Sequence, residues 1–225
     1  MNIASYGYLK KIFKTCLVYI FFTASADISA SEIKTIFSID LGGVDLFEEN
    51  LSVAQFGQDG ELLASQNGSL QFSTPYSFSV GAGIASDHAR ALFELYRTEA
   101  DIDNFNDGSL TSTSLYYAMY WTDSIPYIEV DELNFIVGAG IGLAQIKLDD
   151  GVNEFLSDEV ISVKATLGLE YAFRNYLSTF IKYELSNFGE SSEAQNVASE
   201  TVSRSRSRYD AFNQSRFSVG INFYY

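Results

Sequence analysis

The only histidine of the chain, His88, lies in the short polar stretch SDH (86–88). Histidine is the usual base that activates a serine nucleophile, and it must lie within hydrogen-bond reach of that serine. The stretch separates two apolar segments and has the length of a tight turn, so we interpret His88 as a solvated turn residue. The sequence therefore predicts no catalytic residue, and we expect a protein that is not an enzyme.

Acidic residues cluster in two other stretches, DIDNFND (101–107) and KLDDG (147–151). Carboxylate oxygens are ligands for Ca²⁺ or Mg²⁺, but the first stretch lacks the glutamate that ends a calcium-binding loop. One histidine and one cysteine cannot form a zinc-type ligand set. We expect both stretches to be solvated loops, and we predict neither a metal site nor a cofactor.

A third set of charged residues interrupts segments in which large apolar residues alternate with small ones. The set carries both signs: Asp40, Arg90, Glu94, Lys164, Glu170, Lys182, Glu184 and Arg216. Because successive side chains of a strand point to opposite faces, these charges share a face that is otherwise mostly Gly, Ser, Ala and Thr. Buried charges need partners of opposite sign. We predict that they meet across neighbouring strands as a structural polar plug, with an ion gate or a small conductance as the alternative.

Eight segments with this alternation must position the charges. They are residues 34–43, 76–85, 89–97, 114–121, 135–146, 163–173, 176–186 and 216–225. Each has about the 9–11 residues with which a tilted strand crosses a bilayer.

The connections between the segments also alternate in length. Residues 86–88 and 174–175 are tight turns and 122–133 is a medium connection; four connections are long and polar, namely 46–75, 98–113, 147–160 and 187–213. Short turns at one end and long loops at the other are typical of an antiparallel up-and-down transmembrane β-barrel. In the last long loop, the alternating Arg204, Arg206 and Arg208 could extend a strand beyond the membrane.

The composition agrees with this architecture. The 225 residues include 14 basic and 29 acidic ones, a net charge of −15 that disfavours nucleic-acid binding. Aromatic residues make up 15% of the chain and proline occurs only twice, which favours strands.

The N-terminal segment has the features of a secretory signal peptide. Lys10, Lys11 and Lys14 precede the apolar core CLVYIFF (16–22), and small residues follow it. The core is shorter than the about 20 residues of a spanning helix. We predict a signal peptide over residues 1–30, cleaved after Ala26 or Ala30, and a barrel domain over residues 31–225.

The apolar face could line the inside of a soluble, lipocalin-like barrel or the outside of a membrane barrel. The opposite face carries few charges, so it suits a narrow interior better than water. In hydrocarbon every backbone polar group needs an internal partner, so the sheet must close. The final segment, RFSVGINFYY, is expected to close it, with its large residues facing lipid: Phe217, Val219, Ile221, Phe223 and Tyr225.

Several segments resemble the opacity-protein and OmpA-transmembrane-like family of eight-stranded outer-membrane barrels. They are VGAGIASDHARALFELYR (80–97), SLYYAMYWTD (114–123), NFIVGAGIGLAQIKL (134–148), LGLEYAFRNYLSTFIKYEL (167–185) and FSVGINFYY (217–225). The resemblance implies a bacterial outer-membrane location, contact with lipid and lipopolysaccharide, and recognition of the aromatic C-terminal pattern by the barrel-assembly machinery. It also implies a surface role in adhesion or immune exposure, with a host or environmental ligand, and we expect a monomer in detergent.

Three alternatives stay open. The barrel could be a small pore or a channel for hydrophobic compounds. It could be a lipid A deacylase or acyltransferase, although His88 is expected at the periplasmic end rather than near the outer leaflet. It could also be a soluble barrel that binds a lipid.

Overall fold

The computed structural model describes residues 33–46, 49–56, 62–70, 72–102, 108–125, 130, 132–149, 154–156, 159–189, 191–195, 204–209 and 212–225. The predicted signal peptide lies outside these residues. The described strands are β1 (Lys34–Leu46), β2 (Glu49–Phe56), β3 (Leu62–Leu70), β4 (Phe72–Ala85), β5 (Ala89–Ile102), β6 (Gly108–Ser124), β7 (Leu133–Asp149), β8 (Glu154–Leu156), β9 (Val160–Arg174), β10 (Leu177–Phe188), β11 (Ser191–Gln195), β12 (Arg204–Tyr209) and β13 (Phe212–Tyr224). Within the described parts of the chain, no helix is long and apolar enough to cross a membrane.

Eight long antiparallel strands form a closed barrel. Their order is β6-β5-β4-β1-β13-β10-β9-β7, and β6 pairs with β7 to complete the circle. Each of these strands contains one of the eight alternating segments or nearly all of it, and most are several residues longer at the end that leads into a long loop. The predicted fold class, an up-and-down eight-stranded barrel, is confirmed.

The barrel closes where the first strand meets the last. The pairing of β1 with β13 runs from Ile36 opposite Tyr224 to Leu46 opposite Gln214. Beyond it, Thr35 and Tyr225 exchange two backbone hydrogen bonds of 2.8 and 2.9 Å. The terminal segment is therefore paired to its last residue.

The apolar side chains point away from the barrel axis. Phe93 and Leu143 are 61% and 49% exposed, whereas Lys164 and Glu170 are 1% and 2% exposed. An exposed belt of this kind, continuous around the strands, suits acyl chains rather than water. The orientation is that of a membrane barrel and is opposite to that of a soluble ligand carrier.

Three long connections contain strands beyond the eight predicted ones. Residues 147–160 include β8, which pairs with the end of β7. Residues 46–75 include β2 and β3, residues 187–213 include β11 and β12, and these form a second sheet in the order β11-β12-β2-β3. The sequence indicated long polar loops here and no second sheet, because these strands lack the regular apolar alternation that revealed the others. The strand anticipated around Arg204, Arg206 and Arg208 is β12, which pairs with β2.

Candidate functional site

The eight charged residues singled out from the sequence all lie on the inner face of the barrel. They come from five strands, β1, β5, β9, β10 and β13, and the most exposed of them, Arg90, is 8% exposed. Four are acidic and four are basic, so the set has no net charge. Their contacts divide them into two groups, which lie at different heights in the lumen.

Six residues form what we call the central cluster: Asp40, Glu94, Glu184, Lys164, Lys182 and Arg216. Glu184 is its hub, because Arg216 Nη1 lies 2.6 Å from Glu184 Oε2 and Lys164 Nζ lies 3.3 Å from Glu184 Oε1. Lys182 Nζ lies 3.9 Å from the same Oε1 atom. All three cations therefore share one carboxylate.

Arg216 and Lys182 also share Asp40, so the cluster reaches the first strand. Arg216 donates to Asp40 and to the hydroxyl of Ser77, and Lys182 Nζ lies 3.2 Å from Asp40 Oδ2. These contacts join β13, β10, β1 and β4. The barrel closes where β1 pairs with β13. The contacts of Arg216 with Asp40 therefore also link these two strands through side chains inside the lumen.

Two tyrosines connect the cations and anions of the cluster. Lys164 Nζ donates to Glu94 Oε2 at 2.5 Å, to Tyr96 Oη at 2.6 Å and to Tyr120 Oη at 3.0 Å. The Tyr96 hydroxyl donates to Glu184 at 2.9 Å, and the Tyr120 hydroxyl donates to Glu94 at 2.7 Å. Each phenol oxygen thus accepts from the lysine and donates to a carboxylate. Sequence reasoning missed both residues as partners, although it placed them on the charged face.

The second group is the pair Arg90 and Glu170, which we call the turn-end pair because it lies near the turns at 86–88 and 175–176. Besides Arg90, the Glu170 carboxylate accepts hydrogen bonds from Ser178, from Asn222 at 2.9 Å and from Tyr224 at 2.8 Å. The pair therefore holds the last strand to β9 and β10 through side chains. Asn222 and Tyr224 were not predicted to take part.

Glycines on the inner face make room for large rings. Tyr120 lies opposite Gly138, and Tyr116 lies opposite Gly142, across the β6–β7 pairing. A Cβ atom on Gly142 would lie 2.8 Å from Cδ1 of Tyr116. The sequence suggested a lumen lined mostly by small residues. In the structure, large side chains of one strand pack over small residues of the neighbouring strand. The large side chains therefore fill the lumen.

An apolar layer separates the two charged groups. Ile36, Leu92, Ile136 and Phe180 pack together across the lumen with Tyr120 and two alanines. A cavity of about 20 Å³ lies against this layer and is bordered by Arg90, Glu94 and Lys182. Beyond the turn-end pair, the lumen widens into an open vestibule of about 620 Å³.

His88 lies in the turn between β4 and β5, outside the lumen. Its ring stacks on that of Trp121 with the centroids 5.8 Å apart, and its Nδ1 atom lies 3.9 Å from Asp123. Nearly half of its side chain is exposed. Within the described residues no group of three or more potential metal ligands is found. Residues 103–107, 150 and 151 of the two acidic stretches lie outside the described residues, so the expectation of solvated loops stays untested there. It was wrong for residues 101–102, which end β5, and for residues 147–149, which end β7.

The five large residues predicted as an assembly signal line the outer face of the last strand. Phe217, Val219, Ile221 and Phe223 are exposed there, and Tyr225, which follows the strand, is 78% exposed. The Phe37 and Tyr225 rings meet edge to face, with centroids 6.1 Å apart. Their recognition by an assembly machinery stays a prediction.

Comparison with known proteins identifies the fold. No protein-family model matches the sequence, and no curated protein matches it. The structure of the outer membrane protein OprG from Pseudomonas aeruginosa aligns with 87% of this chain and 97% of its own at 11% identity, with a TM-score of 0.55. The outer membrane protein AlkL, solved in lipid bilayers, aligns with 84% of this chain and 90% of its own at 12% identity, with a TM-score of 0.52.

Neisserial surface protein A (NspA) aligns with 84% of this chain and 96% of its own, at 15% identity and a TM-score of 0.49. The alignments with OprG and AlkL define the class: this chain has the fold of the bacterial outer-membrane β-barrels. That fold is the one implied by the resemblance to the opacity-protein and OmpA-transmembrane-like barrels.

Proposed function

We propose that this protein is a non-enzymatic surface protein of the bacterial outer membrane. In this proposal the barrel is a closed platform that holds the strands of its long loops outside the membrane. The observation that carries it is the filled lumen. Eight charged residues from five strands are buried there, four of each sign, and an apolar layer lies between their two groups.

The central cluster argues against an open pore. An ion that crossed this lumen would have to separate Glu184 from at least one of its three cations. Breaking a buried ion pair by removing one partner costs about 3–5 kcal/mol, so opening such a cluster without compensation is strongly unfavourable. The buried apolar layer that includes Phe180 and Leu92 presents a second barrier.

The loop strands support a role outside the membrane. β2 and β12 continue the pairing of β1 and β13, from Leu51 opposite Tyr209 to Phe56 opposite Arg204. At about 3.3 Å per residue, the eight residues of β2 extend this wall by about 26 Å. They do so at the end opposite the short turns, which in bacterial barrels is the extracellular end.

The remaining expectations complete the proposal. A signal peptide over residues 1–30 would direct export, and the outward aromatic pattern ending at Tyr225 would be read by the barrel-assembly machinery. The exposed belt would contact outer-membrane lipid and lipopolysaccharide. The loops would meet a host or environmental surface, and the barrel would be a monomer in detergent.

Planar-bilayer recording combined with a binding assay tests the proposal. We expect no conductance steps from the purified protein, together with binding of intact cells to surfaces that is lost after the loops at 46–75 and 187–213 are removed by surface proteolysis. Regular conductance steps without loop-dependent binding would overturn it.

The second candidate is a small pore or a channel for hydrophobic compounds. The vestibule of about 620 Å³ favours it, because the vestibule leads from the turn end to Arg90 and the small cavity beyond. Transport would require the side chains of the apolar layer to move apart. If this candidate is right, Phe180→Ala would raise the conductance or the uptake of an apolar dye, whereas a closed platform shows neither.

A lipid A enzyme is the weakest of the alternatives. His88 stacks on Trp121 in a turn, at the end of the barrel away from the loop strands. Mass spectrometry of lipid A from cells that express the native chain and His88→Ala is expected to give identical spectra. A difference between the two spectra would support the enzyme.

A further inference from the structure

The vestibule at the turn end of the barrel is lined by charged residues of both signs that do not pair with one another. Lys34 and Asp87 lie on one side of it, and Glu132 and Arg174 lie on the other. Among the described residues, none of these four side chains has a salt bridge or a hydrogen bond. The volume of about 620 Å³ falls in the usual range of ligand sites, about 300–1,000 Å³. The vestibule therefore offers a ligand both space and unpaired charge.

The strand order places the two sides across the lumen from each other. Asp87 lies in the turn after β4 and Arg174 ends β9, and these strands are four positions apart in a closed circle of eight. Lys34 begins β1, beside β4, and Glu132 precedes β7, beside β9. Eight strands about 4.8 Å apart and tilted by about 40° enclose a circle about 16 Å across. Each side thus carries one cation and one anion, and the width of the barrel separates it from the other side.

We propose that the vestibule binds a short peptide with a free ammonium group and a free carboxylate group. The carboxylate contacts Arg174, whose planar guanidinium can hold two carboxylate oxygens at once. The ammonium contacts Asp87 on the opposite side. A tripeptide, at about 3.3–3.6 Å per residue, spans about 10 Å, and the two side chains cover the remaining width. This site goes beyond the proposed surface function, because it lies at the end of the barrel away from the loops.

Other groups of the vestibule suit the peptide backbone between the two charged ends. Asn134 and Asn175 border it, and a side-chain amide can donate to and accept from a peptide bond. Arg90 also borders it and is 8% exposed, and its Nε atom has no hydrogen-bond partner among the described residues. A buried donor without an acceptor is destabilising. A peptide carbonyl near Arg90 would supply the acceptor.

The balance of charge selects this ligand over others. The four unpaired residues have no net charge, so a simple anion or cation would be attracted by two of them and repelled by the other two. A zwitterionic lipid headgroup carries both signs, but the closed ring of strands separates the vestibule from acyl chains. Short turns mark the periplasmic end of bacterial barrels. Two sources of this chemistry exist there, namely soluble peptides and the peptide stems of the cell wall.

Calorimetric titration of the purified full chain with trialanine, in an uncharged detergent, tests the proposal. We expect saturable binding of one peptide per barrel. N-acetyl-trialanine lacks the ammonium and trialanine amide lacks the carboxylate. Each should bind about tenfold more weakly, the effect of losing one hydrogen bond to a charged group. No saturable binding of trialanine, or equal binding of all three peptides, would overturn the proposal.

Two double variants assign the ends of the peptide, and they are double because Lys34 and Glu132 could hold it in the reverse orientation. Lys34→Gln with Arg174→Gln should weaken trialanine about tenfold and leave the affinity for trialanine amide unchanged, because the amide has no carboxylate to lose. Asp87→Asn with Glu132→Gln should weaken trialanine and leave N-acetyl-trialanine unchanged. Loss of affinity for all three peptides alike in either variant would contradict the assignment.

Arg97→Gln with Lys147→Gln is the matched control for the first variant. It removes two positive charges near the opposite ends of β5 and β7, far from the turns, and trialanine binding should persist. Heat-modifiable gel mobility verifies that each variant is folded. An equal loss of binding in this control and in the Lys34 and Arg174 variant would overturn the site.

Sedimentation with purified cell wall separates the two sources of the peptide. Co-sedimentation of the native chain, but not of the variant that lacks Lys34 and Arg174, would assign the wall stems as the ligand. Binding of trialanine without co-sedimentation would assign soluble peptides. These results are independent of the surface function, because none of the substituted vestibule residues lies in the long loops.

Discussion

Tyr120 lies directly opposite Gly138 across the β6–β7 pairing, and a Cβ atom on Gly138 would overlap the Tyr120 ring. The ring occupies this space so that its hydroxyl can reach both Glu94 and Lys164. This contact explains why glycines and charged residues occur on the same, inward face of the strands. Glycines on one strand leave space for the tyrosine rings of the neighbouring strand, and this space sets where the tyrosine hydroxyls lie.

Gly138→Val is expected to lower the free energy of unfolding by about 1–3 kcal/mol, because the added side chain must displace the Tyr120 ring. Reversible urea unfolding of the purified barrel measures the change. Gly43→Ala is the control, since a Cβ atom there meets nothing within 4 Å. Equal stabilities of the two variants would contradict the packing of the ring on Gly138.

Arg216→Met is expected to cost more, about 3–5 kcal/mol, because it removes one of the two cations that Asp40 and Glu184 share in a buried site. The same unfolding experiment applies. Arg97→Met removes an exposed ion pair with Glu99 and should cost at most about 1 kcal/mol. An effect of Arg216→Met no larger than that of Arg97→Met would show that the central cluster does not stabilise the barrel.

Lys182→Ala and Arg90→Ala should both lower the unfolding temperature, since each cation faces a buried carboxylate. The Arg90 variant should lose more, because Arg90 is the cation paired with Glu170 among the described residues, whereas Asp40 keeps Arg216 when Lys182 is removed. Thermal unfolding followed by gel mobility checks the order. Unchanged melting of both variants would exclude a stabilising network.

Tyr224→Phe removes one hydrogen bond to a buried carboxylate and keeps the ring. We expect a loss of about 1.5–3 kcal/mol, the usual range for a hydrogen bond to a charged group. The double variant with Arg90→Ala should be destabilised by more or less than the sum of the single effects, because both residues contact Glu170. Strict additivity would indicate that the two contacts are independent.

Strand alternation predicted the eight barrel strands and the inward position of the charged residues, because a period of two residues assigns every side chain to a face. It could not predict that Tyr96 and Tyr120 bridge Lys164 to its carboxylates. Those contacts depend on the register and stagger between strands, which spacing within one strand does not contain. The strands β2, β3, β8 and β11 escaped prediction for another reason, since strands outside the membrane need no regular apolar period. β12 was anticipated only from its alternating arginines.

The central claim is that the apolar face of this closed barrel contacts lipid while the charged face is sealed inside. Residues 31–225 contain no cysteine, so single cysteines can be labelled with a fluorophore after Cys16→Ser. Quenching by brominated lipid is measured for Phe93→Cys and Leu143→Cys on the outer face, and for Asn134→Cys and Ala172→Cys, which line the open vestibule. We predict strong quenching at the first two positions and none at the other two. Quenching at Asn134 and Ala172, with Phe93 and Leu143 unaffected, would contradict the account.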